Sequence, residues 1–575
     1  MPVMSVGLAY AIALVPALAL AIGQPVWSRV DEAAHYDVIA QYAAGVYPHD
    51  SVTTVRPETV EVMQRTDVYG FVVDGAYARP DLALGPQPIP SGISDSAHVL
   101  WIRRHGFQFS YEAFQPPLYY ALALPAWLAG HALGGAIGAV YSVRIFDALL
   151  AALLAPLSML IALRLWPANR AAAWGAAVLA AVLPGVALNM TAVTNDVLVS
   201  VLGAVCILVA ISGAWTPKRV ALVGLLLGAA LLTKTTAIAI VPALAVALLQ
   251  RHRGGGWKPL AGVGAISAAC IAPWLVSNLA IYGEVVTTRE QLAMAAFPPR
   301  TADPGFWSVS SLHSFVTFWT GDPFLSLPAA VPLAFLAAFI AALALAGVVR
   351  AFRDRTSVLE RPVLVVVAIA ATGAAVVSVT SPVLAAFEAP GRLAYVGLAA
   401  VMALIGTGLW MEVRSPRLRW GTIGTFAGLS LGAHALLAVP APPAPREAQM
   451  VIAHKTAVGA YASFGGLTTQ VLSCAIDTSG NMWLNVRLDN QGTGPVEWSQ
   501  RVEVRSRGET KGASDFLRST PFPMAFAARS TYTGWLWLGP APRLQGLTDP
   551  TLYMPDVAAD GYRQIGALVI RTPLC

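Results

Sequence analysis

Long apolar runs, separated by short clusters of Arg, Lys, Pro and Gly, recur along the chain from residue 5 to residue 438. Many approach the ~20 residues that a helix needs to cross hydrocarbon. The pattern predicts spans at about 5–23, 142–164, 171–189, 196–213, 219–232, 236–250, 259–280, 324–349, 361–381, 390–410 and 418–438, about eleven crossings. Residues 5–23 have almost no basic flank and more apolar runs follow them, so they read as a retained first helix, not a signal peptide. From about residue 445 the pattern changes. Met482-Trp483-Leu484-Asn485-Val486-Arg487-Leu488 alternates apolar and polar, and Gly-, Asn- and Pro-containing turns set off further short candidates at Val502–Val504 and Ile565–Ile570. That period predicts an antiparallel β domain, sandwich-like, over 448–575. Ala- and Pro-rich residues 439–447 form the linker, and 1–438 form the membrane domain.

The basic residues orient the spans. Arg164 and Arg170 flank one short loop, Lys218 and Arg219 lie in another, and Arg251, Arg253 and Lys258 in a third. Arg350, Arg353, Arg355 and Arg361 form a fourth cluster and Arg414, Arg417 and Arg419 a fifth. All five fall on one side of the predicted bundle, which the positive-inside rule makes cytoplasmic. The N-terminus is then inside and the β domain outside. Residues 117–138 are apolar enough to span, but Pro116, Pro117, Pro125, His131 and several glycines suit a helix lying in the interface, which keeps the parity. Residues 24–115 become a long outer loop with eleven acidic residues, six Arg and no Lys. The run 219–250 is interrupted at Thr233-Lys234-Thr235-Thr236, which puts Lys234 at an outer turn between two short helices. Irregular backbone at that depth needs protein or a water-filled cavity around it.

Composition agrees with a membrane protein. The chain is 56% hydrophobic and 12% charged, with a mean hydropathy of +0.62. A soluble chain carries about 25% charged residues. The net charge of +6 fits basic cytoplasmic loops and argues against a nucleic-acid surface. Cys206 and Cys270 fall in apolar runs. Cys474 and Cys575 bracket the β domain and can pair if it faces an oxidising compartment, although two cysteines do not decide the matter.

The chemistry-bearing residues cluster just beyond the first span, in Asp31-Glu32-Ala33-Ala34-His35-Tyr36-Asp37. Either Asp31 or Glu32 could cap a short helix. Two adjacent acids with a third at Asp37 favour chemistry over capping. An ionisable residue in or beside a span is a functional candidate by default. That singles out Lys234, whose competing role is snorkelling, and Arg144 and Arg392, whose competing role is interfacial anchoring. Asn195-Asp196 stand at a helix end, where capping also competes. Glu112 precedes the corner Gln115-Pro116-Pro117, which two prolines restrict. Tyr36, Tyr119 and Tyr120 can contact a substrate or belong to the aromatic belt. Tyr532, Trp535 and Trp537 can stack on sugar rings or pack in the β core. No spacing such as HExxH marks a metal site, so the site's metal is unknown and a divalent ion stays open. The Gly-rich stretches 128–138 and 253–263 lack any phosphate-loop setting.

Taken in order, Asp31-Glu32 with His35-Tyr36, Glu112, Gln115-Pro116-Pro117-Leu118-Tyr119-Tyr120, Arg144, Asn195-Asp196, Leu232-Thr233-Lys234, Trp274, Asn278, Tyr282-Gly283 and Gly391-Arg392 resemble the GT-C superfamily of membrane glycosyltransferases. That superfamily includes the protein mannosyltransferases and the lipid A aminoarabinose transferase. The resemblance covers roughly residues 5–438 and rests on the order of weak motifs. Gln115 departs from relatives with a basic residue before the Pro pair. The resemblance implies a polyprenyl-phosphate sugar donor, transfer outside the cytoplasm and, usually, inversion. It implies Asp31 as catalytic base, aided by Glu32. Lys234, Arg144 and Arg392 would bind the donor phosphate, and His35, Tyr36, Glu112, Gln115, Tyr119 and Asp196 the acceptor or other substrate groups.

The sequence therefore reads as a polytopic α-helical protein of the bacterial inner membrane. It would move a sugar from a polyprenyl-phosphate donor to an envelope glycan, glycolipid or protein, among membrane lipids and without nucleic acid. The competing readings are a transporter or flippase of lipid-linked glycans and a non-catalytic glycan-binding scaffold of envelope assembly. A detectable inverted repeat would favour the transporter, and none is visible.

Overall fold

The computed structural model describes residues 3–24, 26–27, 31–48, 53–65, 91–94, 97, 100, 110–251, 257–286, 304–321, 330–354, 358–380, 390–438, 451–498, 501–514, 519, 522, 525–572 and 574–575. It divides into two compact units, Met1–Val62 with Ser110–Pro440, and Met63–Phe109 with Ala441–Cys575. The expected linker 439–447 lies outside the described residues.

The first unit is a helix bundle. Among the described residues six stretches are long and apolar enough to cross a membrane: Met4–Gly23, Leu118–Leu165, Trp257–Tyr282, Val331–Arg353, Arg361–Thr380 and Gly391–Glu412. The expectation of about eleven crossings is thus corrected to six long apolar helical stretches. The difference arises where apolar runs are broken. The run 171–189 splits at Leu183 into Arg170–Val182 and the one-and-a-half-turn helix Pro184–Asn189, because Pro184 starts a new helix at its first position. The run 219–250 splits at Thr233-Lys234 into Pro217–Leu231, a 3₁₀ turn Thr235–Ile240 and Val241–Arg251. At 1.5 Å per residue the 13-residue helix Arg170–Val182 falls well short of the ~30 Å hydrocarbon core. The helix Pro416–Ala438 is long, but glycines and polar residues dilute it.

Residues 117–138 contain a helical arm that the pair Gly134-Gly135 sets apart from the helix that follows. Leu118–Ala151 is helical except at Gly134 and Gly135, where the backbone leaves helical angles. A Cβ placed on Gly130 would lie 2.5 Å from the Gly138 carbonyl oxygen and 2.4 Å from the Ser142 Cβ. In a continuous helix residues eight apart stand about 12 Å from each other. The chain therefore doubles back at the glycine pair, and only glycine lets the two arms approach so closely.

The second unit is antiparallel β structure. Strands β1 (Ile452–Phe464), β2 (Leu467–Asp477), β3 (Asn481–Asn490) and β8 (Ser530–Pro540) form one sheet in the order β1-β2-β3-β8. Strands β4 (Val496–Glu497), β5 (Glu503–Ser506), β6 (Glu509–Ala513), β7 (Ala525–Phe526) and β9 (Thr551–Ala559) form a second in the order β6-β5-β9-β4-β7, with β10 (Gln564–Arg571) paired to β9. The alternation read at 482–488 is real: Met482, Leu484, Val486 and Leu488 all enter one core, which Leu552, Met554 and Ile570 of the second sheet share. Cys474 and Cys575 are disulfide-bonded, with Cα atoms 5.6 Å apart. Trp535 and Trp537 gather with Trp483 around Ala475, and Tyr532 packs edge-on against Phe526. Trp535 is buried, Trp537 half-buried and Tyr532 exposed.

Candidate functional site

The acidic cluster beyond the first helix becomes a site because of the backbone at Asp31. Its φ of 70° is left-handed, and its side chain makes no capping bond to the helix Glu32–Ala43 that it precedes. The carboxylate turns instead to Arg392, with Oδ2 accepting from Nη2 at 2.6 Å. Arg392 is set by its neighbour. A Cβ on Gly391 would meet the Phe318 amide nitrogen at 2.1 Å and the Ser314 carbonyl oxygen at 2.4 Å. The Gly391 amide donates to Thr317 Oγ1 at 2.8 Å. Glycine thus lets the turn Gly391–Gly397 rest directly on the helix Pro304–Thr320.

The contact continues inward. Arg392 Nη1 lies 3.9 Å from Asp196 Oδ2, and Asp196 Oδ1 accepts from Lys234 Nζ at 2.6 Å. Four side chains of alternating sign, Asp31, Arg392, Asp196 and Lys234, form one row. The Asp31 and Arg392 side chains are each 17% exposed, that of Asp196 2% and that of Lys234 11%, so the row is most open at Asp31 and Arg392 and sealed at Asp196. Asn195, next to Asp196, does not use its side chain as a cap. Its Nδ2 donates to Gln115 Oε1 at 3.2 Å and to the Thr233 carbonyl at 3.4 Å. With Leu118 N donating to Leu232 O at 3.0 Å, the Pro-restricted corner, the start of Asp196–Ile211 and the break at Lys234 are tied together.

Glu32 and Arg144 form a second, fully buried assembly. Arg144 Nε and Nη2 donate to Glu32 Oε1 and Oε2 at 2.6 and 2.7 Å, and Nη1 donates to the Gln24 carbonyl at 2.7 Å. Glu32 Oε1 also accepts from Val193 N at 3.1 Å. Neither side chain is exposed. A bidentate pair with added backbone bonds has the geometry that offsets the desolvation of two buried charges. Arg144 is thus engaged from inside the frame, away from the open end of the row.

Around the row, Glu112 sits in the 3₁₀ turn Tyr111–Phe114 at 5% exposure. Burial, and then the negative charge of Asp31, push its carboxyl up to about 8, against the pull of Lys234 and Arg392. His35 Nδ1 is 2.8 Å from Tyr120 Oη, and burial pushes the imidazole down to about 3 although Asp31 opposes this. The imidazole is therefore neutral at neutral pH. Tyr36 Oη donates to the Ala136 carbonyl at 3.0 Å and its ring meets Trp27 edge-on, so it braces the doubled-back arm. Tyr119 Oη donates to Asp147 Oδ2 at 2.8 Å. Asp37 accepts from Arg56 N at 2.7 Å and Thr59 Oγ1 at 2.8 Å and holds the following segment.

Asp147 was not among the sequence candidates. With Tyr119 it accepts from Thr194 N, at 3.2 and 3.0 Å, while Glu32 takes the adjacent Val193 N. Two buried carboxylates thereby grip the turn that delivers Asp196. An acid inside the apolar run 142–164 was the signal that could have found it. Among the described residues no group of three or more His, Cys, Asp and Glu is placed to hold a metal ion. Asp31, Glu32 and Asp196 each already meet a cationic side chain at 2.6 Å, so these carboxylates do not fit a divalent cation as their partner. An apolar groove of about 330 Å³ adjoins the Arg392 turn and is lined by Phe318, Ala394, Leu345 and Val401, with Ser311 and Ser314.

Fold and site together define a multi-pass membrane protein with a row of buried charge at its helix ends. The chain belongs to the family described as "Predicted membrane protein (DUF2142)", which matches residues 14–389. No curated protein matches it. Among solved structures it is similar to ArnT from Cupriavidus metallidurans bound to undecaprenyl phosphate, at 16% identity and a TM-score of 0.42, over 74% of this chain and 62% of that one. It is similar to the apo oligosaccharyltransferase of Archaeoglobus fulgidus at 14% identity and a TM-score of 0.40, over 75% of this chain and 55% of that one. The same enzyme, AglB, with an inhibitory peptide and a dolichol-phosphate gives 12% identity and a TM-score of 0.37, over 75% and 55% of the two chains. The chain spans only about 55–62% of the length of these proteins. Each of these likenesses is distant, at 12–16% identity.

Proposed function

We propose that this protein is an inverting glycosyltransferase that moves a sugar from a polyprenyl-phosphate donor to a cell-envelope glycan, glycolipid or protein on the extracytoplasmic side. The observation that carries the reading is the row Asp31, Arg392, Asp196 and Lys234, gathered from four distant parts of the chain. Such a transfer needs a carboxylate to take the acceptor proton and cations to receive charge on the departing phosphate. The row holds both. Arg392 and Lys234 bind the phosphate. When it engages Arg392, it competes with the Asp31 carboxylate for that guanidinium and releases Asp31 to act as base. The apolar groove beside Gly391-Arg392 suits the prenyl chain. Arg144 and Glu32 hold the frame and do not touch the phosphate. The N-terminus lies in the cytoplasm and the β unit outside.

The test uses the full chain in lipid nanodiscs with undecaprenyl phosphate as probe. Binding should weaken at least tenfold in Arg392→Gln and Lys234→Met while Asp31→Asn still binds. Equal binding by all four proteins would sink the phosphate assignment.

A further inference from the structure

Two carboxyl groups of this site stand in opposite surroundings. Asp31 is partly exposed and meets a guanidinium at 2.6 Å. Glu112 is 5% exposed, and its Oε2 is buried with no hydrogen-bond partner. No cation meets Glu112 at ion-pair distance among the described residues. It is nevertheless part of the row's surroundings. It lies three residues before Gln115, whose Oε1 accepts from Asn195 beside Asp196, and it is within electrostatic reach of Asp31, Lys234, Arg392 and Tyr120. A carboxyl group held this way keeps its proton, whereas one facing an arginine gives it up. A buried carboxyl without a cation beside a partly exposed carboxylate that has one is the usual arrangement of an acid and a base working on one substrate.

We infer that Glu112 is the general acid of the transfer and Asp31 its general base. The inference rests on the reading of function above. The bond between the acceptor oxygen and the sugar's anomeric carbon forms as the bond from that carbon to the phosphate oxygen breaks. The acceptor's hydroxyl proton goes to Asp31. The electron pair of the broken bond goes to the departing phosphate oxygen, which takes the Glu112 proton. A proton passing back from Asp31 to Glu112 restores both groups. The net change carries one proton from the acceptor to the polyprenyl phosphate monoester, and nothing else is consumed. His35, buried and neutral beside Tyr120, adds no charge to this exchange.

The alkaline side of the rate profile follows from the same surroundings. An acid must be protonated to act, so on the alkaline side activity is lost as pH rises through about 8. Burial and then the charge of Asp31 hold the proton on, and Lys234, a hydrogen bond from the Gln115 side chain and Arg392 draw it off.

The experiment is turnover of radiolabelled undecaprenyl-phosphate mannose, glucose and arabinose by the full chain in nanodiscs, with envelope membranes as acceptor, across pH 5 to 10. Glu112→Gln should lower kcat about 10²-fold and lose the alkaline limb, leaving KM for the donor nearly unchanged. An infrared difference spectrum between wild type and Glu112→Gln supplies a second readout that needs no substrate. It should contain the carbonyl band of a protonated carboxyl at pH 6 and lose it at pH 10. Active wild type with an unchanged rate and alkaline limb in Glu112→Gln overturns the acid assignment alone. So does the absence of that band at pH 6. Wild type that turns over none of the donors overturns the functional reading and this inference with it.

Discussion

Arg392 Nη2 donates to Asp31 Oδ2 at 2.6 Å, across 361 positions of sequence. The contact joins the start of the helix Glu32–Ala43 to the turn Gly391–Gly397, and it gives a charged row its open end. Mutations on either side of it have different expected outcomes.

Asp31→Asn should lower transfer about 10²- to 10⁴-fold, the typical contribution of a positioned proton acceptor. It should leave membrane insertion and thermal unfolding near wild type. Asn tolerates the left-handed backbone at φ 70°, whereas Ala would add strain and confuse the result. Wild-type rates in Asp31→Asn would remove the base assignment.

Arg144→Met leaves Glu32 as a buried carboxylate without its guanidinium. Breaking a buried pair on one side costs about 3–5 kcal/mol. The double variant Arg144→Met with Glu32→Gln should recover part of that loss, and urea or thermal titration of the purified proteins reads it. A double variant no more stable than the single one would mean that the pair is not a coupled unit.

Gly391→Ala should disturb the site without altering a charged group. The new Cβ would sit 2.1 Å from the Phe318 nitrogen, so the turn must move away from the helix that carries Phe318. Overpacking of this kind costs about 1–3 kcal/mol. Arg392 moves with it, so undecaprenyl phosphate binding should weaken as it does in Arg392→Gln. Unchanged binding would mean that the Gly391 contact does not position Arg392.

Acid should weaken the bundle through His35. Unfolded, its imidazole takes a proton below its ordinary value of 6.5, whereas in the folded protein it resists until about 3. The unfolded state therefore binds more protons in that window, and stability falls as pH is lowered from about 6.5 towards 3. His35→Gln should flatten this part of the curve. An identical acid slope in both proteins would assign the loss to other groups.

Much of the site was legible because each candidate carries a charge where charge is costly. Asp31, Lys234, Asp196 and Arg392 were each visible as an ionisable residue at the end of an apolar run, and the structure brings these four into one row. Their partners were not legible. Arg144 and Arg392 each stand at the start of an apolar run in the sequence, yet one is sealed against Glu32 and the other faces Asp31. Tyr119 and Tyr36 sit in the same sequence neighbourhoods as the candidates, but both hydroxyls close internal bonds. Asp147 is hidden in the sequence by the apolar neighbours that dominate the pattern around it.

By itself the sequence determined the class of each segment. A run of Leu, Val and Ala buries its backbone polar groups only as helix in lipid, and a two-residue alternation over 482–488 buries one face only as strand. Those are local consequences of side-chain chemistry. The tertiary structure decided how many stretches are long enough to cross, because Pro184, Thr233-Lys234 and Gly134-Gly135 break helices in ways that only packing reveals. It also decided which opposite charges meet. The attraction between two ions is as available to Arg144 as to Arg392 along the chain. Only the glycine contact at Gly391 and the left-handed turn at Asp31 make Arg392 the partner of Asp31.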